Sequence, residues 1–247
     1  MAAIITIANQ KGGTGKTTAA AALAQAAAHA GRRVLAVDMD PQANLSLFLA
    51  ADTQRPGSYE FLQGRAMAAD VIQQSSTGPD IIPGAWSLQT VGRGNGSGNR
   101  LKKALASVSA LYDYIFIDTP PTPGELQLNA ILAASGVIIP TRPDLPGLHG
   151  LAQMAETIRR IQQTAPAVEI IGYLMQTPRT RTTLARQMRE SIAAAAETLH
   201  IPLAGVIREA VAVQEAQTLQ TNLFDYAPNS APALDYMAVF SRLETRD

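Results

Sequence analysis

From Lys11 to Thr18 the chain reads Lys-Gly-Gly-Thr-Gly-Lys-Thr-Thr, which puts three glycines and two lysines into eight residues. Glycines carry no Cβ, so successive backbone N–H groups in such a run can converge on one anion. The apolar stretch Ile4-Ile5-Thr6-Ile7-Ala8 precedes it and an alanine-rich segment follows. This order predicts a strand, a tight glycine turn and a helix N-terminus, which together cradle phosphate. In that geometry Lys16 reaches the β- and γ-phosphates and the Thr17 hydroxyl holds Mg²⁺. Gly12, Gly13, Thr14, Gly15 and Thr18 supply the rest of the nucleotide contacts. The standard pattern G-x-x-x-x-G-K-[ST] asks for glycine at position 10, where this chain has Gln10 followed by an additional lysine, Lys11.

Two further segments carry carboxylates placed to complete such a site. Val34-Leu35-Ala36-Val37 runs into Asp38-Met39-Asp40-Pro41-Gln42-Ala43-Asn44, and Tyr114-Ile115-Phe116-Ile117 runs into Asp118-Thr119-Pro120-Pro121. Acidic residues at the C-terminal ends of apolar strands point into the crevice where ligands of parallel sheets bind. Asp118 is expected to hold Mg²⁺ through water, since a hard dication takes carboxylate oxygens and keeps part of its hydration shell. Together the three segments read as one nucleotide site and not as unrelated strand ends.

These segments have to be held by a framework, and the pattern of the chain supplies one. Short apolar runs alternate with helical stretches throughout, which predicts a mostly parallel twisted sheet of about seven to eight strands with helices on both faces. Strands are expected at 3–8, 33–38, 80–83, 114–118, 136–141, 169–175 and 205–207. Helices are expected at 17–30, 42–49, 100–111, 126–134, 147–164, 182–200, 212–219 and 231–243. The 247 residues fit one α/β domain, 1–247, and 47% of them are hydrophobic, enough for a large core. The glycine-rich stretch Gly92–Asn99 is expected to be a mobile surface loop.

Composition removes several function classes. The absence of cysteine excludes disulfides, thiolate catalysis and thiolate metal sites. No apolar run approaches the roughly 20 residues that span a bilayer, and the N-terminus lacks the pattern of a signal peptide. The formal net charge is zero, so no general attraction for nucleic acid exists and any such contact needs a local patch. The only lysines are Lys11, Lys16, Lys102 and Lys103. Two of the four therefore sit in the phosphate loop of a chain that otherwise uses arginine.

The run Lys11–Thr18 resembles the deviant Walker A motif, K-G-G-x-G-K-[ST]-[ST], of the ParA/MinD family of ATPases. Asp38–Asn44 resembles its switch I, Asp118–Pro121 its Walker B and switch II, and residues 223–236 its closing segment, where Y-x-P-x-S precedes the last helix. The resemblance covers nearly the whole chain and matches the short form of the family, without an N-terminal DNA-reading domain. It implies a P-loop NTPase that uses ATP and Mg²⁺, with Lys11, Lys16 and Asp40 catalytic and Thr17, Asp40 and Asp118 at the metal. It also implies a homodimer formed with ATP, in which Lys11 reaches the partner's nucleotide and Asp40 positions the attacking water. Asp38 is expected to buttress the site. Two departures stand out: Ile207-Arg208-Glu209-Ala210 replaces the family's Ile-Pro-Arg-Asn beside the base, leaving Arg208 as a candidate contact, and Glu215-Ala216 lacks the following glycine.

Pro178–Glu190 holds Arg179, Arg181, Arg186 and Arg189, opposed only by Glu190, and Arg208 follows a nearby predicted strand. Arginines without interleaved aromatics suit sequence-independent phosphate contacts. The resemblance implies non-specific DNA binding there, a cytoplasmic and nucleoid-associated protein, and a ParB-like adaptor that stimulates a slow ATPase in plasmid or chromosome partition. The alternatives are a relative that positions a non-DNA cargo and a MinD-like membrane-cycling regulator. The latter needs a basic amphipathic C-terminal helix, whereas Met237–Asp247 is short and mixed in charge, so no membrane partner is expected.

Overall fold

The computed structural model describes residues 1–92, 97–178 and 182–245. Among the described residues seven strands form one sheet: β1 (Ala3–Ile7), β2 (Val34–Asp38), β3 (Asp80–Ile82), β4 (Tyr114–Asp118), β5 (Gly136–Thr141), β6 (Glu169–Thr177) and β7 (Leu203–Arg208). Their order is β3-β2-β4-β1-β5-β6-β7 and every pairing is parallel. The helices are α1 (Lys16–His29), α2 (Asn44–Phe48), α3 (Ser58–Leu62), α4 (Ala68–Val71), α5 (Arg100–Leu105), α6 (Glu125–Ala133), α7 (Leu145–Gln162), α8 (Thr183–Thr198), α9 (Val211–Thr218), α10 (Leu223–Tyr226) and α11 (Ala231–Glu244). All expected strands and helices form. The short α3, α4 and α10 were not foreseen, since four or five residues carry no full helical period.

Strand alternation sorts the core onto two faces. Ile5, Ile7, Val34, Ala36 and Phe116 pack with α1 and α11, whereas Leu35, Val37, Ile115 and Ile117 pack with α5 and α6 on the other side. Val137 and Ile139 extend that second face under α7 and α8. Helix α1 is alanine on nearly all sides and buried from Ala19 to Ala27, because it lies between the sheet and α11. Tyr236 and Phe240 of α11 are fully buried, and the Phe240 ring meets Tyr114 edge-on at 5.2 Å. Truncating such an aromatic to alanine costs about 3–5 kcal/mol.

Register is what assembles the site. Asp38 lies abreast of Asp118 across the β2–β4 pair, and Ile7 abreast of Asp118 across β1–β4. Both carboxylates and the entry to the glycine turn therefore leave the sheet at one level. The outer edge of β7 is blunted by α11: Asp235 accepts the Arg208 N–H at 2.9 Å and Arg242 donates to the Ala204 carbonyl at 3.2 Å.

Two sequence expectations change here. The helix expected to reach Leu111 ends at Leu105, where backbone bonds shift to three-residue spacing and the Ser107 hydroxyl donates back to the Ala104 carbonyl. Of the glycine-rich stretch, residues 93–96 lie outside the described residues, but Ser97–Asn99 form a 3₁₀ turn. Gly98 sits so close to α6 that a Cβ there would lie 2.9 Å from Leu132.

Candidate active site

The loop between β1 and α1 turns through two left-handed glycines, Gly13 at φ +74° and Gly15 at φ +82°. Gly15 caps α1 without a side chain, and a Cβ there would lie 3.1 Å from the Gln176 amide nitrogen. The helical ladder begins with the Ala19 N–H donating to the Gly15 carbonyl at 2.8 Å. The N–H groups of Lys16, Thr17 and Thr18 thus precede it, at the positive end of the helix. The first turn of α1 carries no acidic residue to oppose an anion.

The two lysines are held differently. Lys16 is buried, and its ammonium donates to the Lys11 carbonyl at 3.2 Å. Burial pushes its pKa below the ordinary lysine value, while Asp118 and Asp40 work against that shift. Lys11 is fixed through its backbone: its N–H donates to the Asn9 side chain at 3.0 Å, and its carbonyl also accepts the Thr14 hydroxyl at 3.3 Å. Asn9 is itself buried and anchored to the Pro140 carbonyl on β5 at 2.7 Å. The Lys11 side chain, by contrast, is exposed. Gln10, which stands where the standard loop has glycine, donates to Thr157 of α7 at 3.0 Å and to Gln127 of α6 at 3.4 Å. Its long amide ties the start of the loop to both helices.

Three carboxylates cluster beside the loop, two of which, Asp118 and Asp40, act on Lys16. Asp38 is fully buried; Ser46 donates to it twice, from N–H at 2.9 Å and from the hydroxyl at 2.7 Å, and the Asp40 N–H donates at 3.0 Å. Burial pushes its pKa up to about 6 despite these donors. Asp40 accepts the Gln42 N–H at 2.9 Å, which fixes the turn after β2. Asp118 is also fully buried, and neither of its oxygens has a well-formed hydrogen bond. Burial and the neighbouring Asp38 raise its pKa well above the usual carboxylate range, with the nearby Thr17 hydroxyl and Lys16 partly offsetting the rise.

A buried carboxylate without a well-formed hydrogen bond, beside a hydroxyl and a phosphate cradle, fits a hydrated dication. Among the described residues no group of three or more His, Cys, Asp or Glu is placed to hold a metal alone. That donor set suits Mg²⁺, which is bound through one or two carboxylates, waters and substrate phosphates. Thr17 and Asp118 would hold it, with Asp40 at its edge.

A cavity of about 630 Å³ continues from Gly13, Thr14, Gly15 and Thr18 to Gln176, Ile207, Arg208, Glu209, Ala210, Gln214, Gln217 and Tyr236. It has the position of a base and ribose cleft, and it includes the loop 207–210. Gln176 and Gln217 were not anticipated as site residues; Gln217 reaches the Thr18 hydroxyl at 3.4 Å. Nothing in their local sequence marks them, because they arrive on β6 and α9 through the fold.

A larger cavity, about 810 Å³, lies away from the phosphate loop and is lined by Arg186, Arg189, Arg208, Thr182, Thr183 and Glu209, among others. The structure thus brings together three of the five arginines predicted to contact nucleic acid; Arg179 and Arg181 lie outside the described residues. Arg186 and Arg189 are exposed on the first turns of α8. Arg208 is not free, since its guanidinium is paired with Asp235 at 2.9 and 2.7 Å.

A family model described as an AAA domain matches residues 2–170. The sporulation initiation inhibitor protein Soj of Bacillus subtilis is 37% identical over 205 residues, covering 78% of this chain and 79% of that protein. The chromosome-partitioning ATPase Soj of Thermus thermophilus is 32% identical over 249 residues, covering 98% and 95%. Among solved structures, the septum site-determining protein MinD of Pyrococcus horikoshii, complexed with Mg-ADP, superimposes with a TM-score of 0.81 at 28% identity, covering 100% of this chain and 97% of that one. With the loop, the paired strand-end carboxylates and the parallel sheet already in place, these similarities agree with the geometry: the chain belongs to the ParA/MinD family of partition ATPases.

Proposed function

We propose that this ATPase dimerises with ATP, binds DNA without sequence preference, and drives segregation of plasmid or chromosomal DNA with a ParB-like partner. The observation that carries the reading is Lys11: its backbone is fixed at both N–H and carbonyl while its ammonium is exposed at the rim of the site. A cation so presented suits the nucleotide of a second subunit better than its own. Arriving from the partner, it would stabilise charge developing in phosphoryl transfer as an arginine finger does. Within one subunit, Lys16 binds the β- and γ-phosphate oxygens and Asp40 orients the attacking water. Mg²⁺, when bound, neutralises charge on the same oxygens. Arg186 and Arg189 on α8 supply phosphate contacts, together with Arg208 once it leaves Asp235. The relative from Thermus, a chromosome-partitioning ATPase, supports the same direction.

A membrane cycle is less well supported. Helix α11 buries Tyr236, Val239, Phe240 and Leu243 in the core, which leaves it no large apolar face for a bilayer surface. Among the described residues no helix is long and apolar enough to cross a membrane. Co-sedimentation with ATP or ADP, offering plasmid DNA and anionic liposomes in parallel, tests the reading. Pelleting with DNA under ATP alone is expected; pelleting with liposomes alone would reject it.

A further inference from the structure

One buried hydroxyl beside the site joins three chain segments. Ser46, on α2, is fully buried. Its hydroxyl donates to Asp38 at the end of β2 at 2.7 Å and accepts the N–H of Gly84, just beyond β3, at 2.8 Å. The other oxygen of Asp38 receives the Asp40 N–H at 3.0 Å, so the position of Asp40 is set through Asp38. Gly84 has to be glycine for this packing: a Cβ there would lie 2.8 Å from the Asp38 carboxyl carbon and 2.9 Å from the Asp40 carbonyl. Neither Ser46 nor Gly84 lies near the phosphate loop in sequence, and neither lines the nucleotide cleft.

We propose that Ser46 is a positioning residue for hydrolysis: its hydroxyl, braced by the Gly84 N–H, locks Asp38 and thereby holds Asp40 where it orients the attacking water. The inference rests on the water-positioning role proposed for Asp40. Without the hydroxyl, Asp38 keeps only the Ser46 and Asp40 N–H donors and is held less firmly, and the Gly84 N–H is left without its acceptor. The phosphate loop, with Lys16 and Thr17, does not depend on this contact. The effect should therefore fall on turnover and spare nucleotide binding.

The test measures phosphate release, affinity for a non-hydrolysable ATP analogue and thermal midpoint for Ser46→Ala, Gly84→Ala, Asp40→Ala and the Ser46→Ala/Asp40→Ala pair. Expected for Ser46→Ala is a fall in kcat of about tenfold or more, with analogue affinity within about twofold of wild type. The double variant should be no slower than Asp40→Ala alone, because both changes remove one function. Gly84→Ala, which keeps the hydroxyl but crowds Asp38, should show the same split. Wild-type turnover in a folded Ser46→Ala or Gly84→Ala protein would overturn the inference, as would parallel losses of turnover and affinity. If Asp40→Ala alone hydrolyses normally, the role given to Asp40 fails and this inference fails with it.

Discussion

Arg208 and Asp235 meet through a two-point ion pair, with Nε at 2.9 Å and a terminal nitrogen at 2.7 Å, and the same carboxylate accepts the Arg208 backbone N–H at 2.9 Å. The arginine best placed between the base cleft and the α8 cavity is therefore neutralised by its own fold. Asp235→Asn should release it and add a phosphate contact. DNA affinity should rise several-fold at low salt, and the slope of log affinity against log salt should steepen by about one. Fluorescence anisotropy over a salt series reads both; an unchanged slope would remove Arg208 from the DNA surface. Arg186→Ala and Arg189→Ala should each make the slope shallower by about one.

Asp118 is a buried carboxylate whose oxygens lack well-formed hydrogen bonds, a costly arrangement retained for the cation it would hold. Asp118→Asn should stabilise the nucleotide-free protein by about 1–2 kcal/mol, raising its thermal midpoint by a few degrees. The same change should abolish the extra stabilisation that Mg²⁺ adds to nucleotide. Differential scanning calorimetry with ADP, with and without Mg²⁺, checks the pair of effects.

Gly15 combines a left-handed backbone with the Gln176 side chain 3.1 Å from any added Cβ. Gly15→Ala should cost about 1–2 kcal/mol of stability and lower nucleotide affinity more than tenfold, since the strain is relieved by moving the cradle itself. Urea melts and calorimetric titration with ADP measure the two terms. Normal affinity would show that the loop adapts.

At the opposite end of the sheet, Arg33 holds Asp113 down to about 2. A carboxyl with a lower pKa in the folded state contributes its stability above the unfolded value of about 3.9. That contribution is lost as pH falls through about 2. Arg33→Ala should raise the Asp113 pKa towards the ordinary range, seen by NMR titration, while the backbone N–H of residue 33 keeps part of the depression. Both groups are exposed, so neutral-pH stability should scarcely move.

Much of this was readable from the chain because its chemistry is local. The glycine run, the Asp38–Asp40 pair and the strand ending at Asp118 each sit within one short segment, and β4 and β5 have the predicted ends. What escaped depends on register and crossing. Ser46 reaches Gly84 across 38 residues, Gln10 reaches Thr157 across 147, and Gln217 reaches Thr18 across 199. No local pattern encodes such contacts. The Arg208–Asp235 pair, 27 residues apart, was hidden for the same reason, and it alters what the arginine cluster can do unaided.

The central claim is that Lys11 completes the site of a second subunit. The direct measurement is molar mass by light scattering with ATP, in an Asp40→Ala background that is expected to keep ATP unhydrolysed. Asp40→Ala should run as a dimer, whereas Lys11→Ala/Asp40→Ala should remain a monomer that still binds ATP, because the backbone contacts of residue 11 survive the change. A dimer of the double variant at the same ATP concentration would contradict the account.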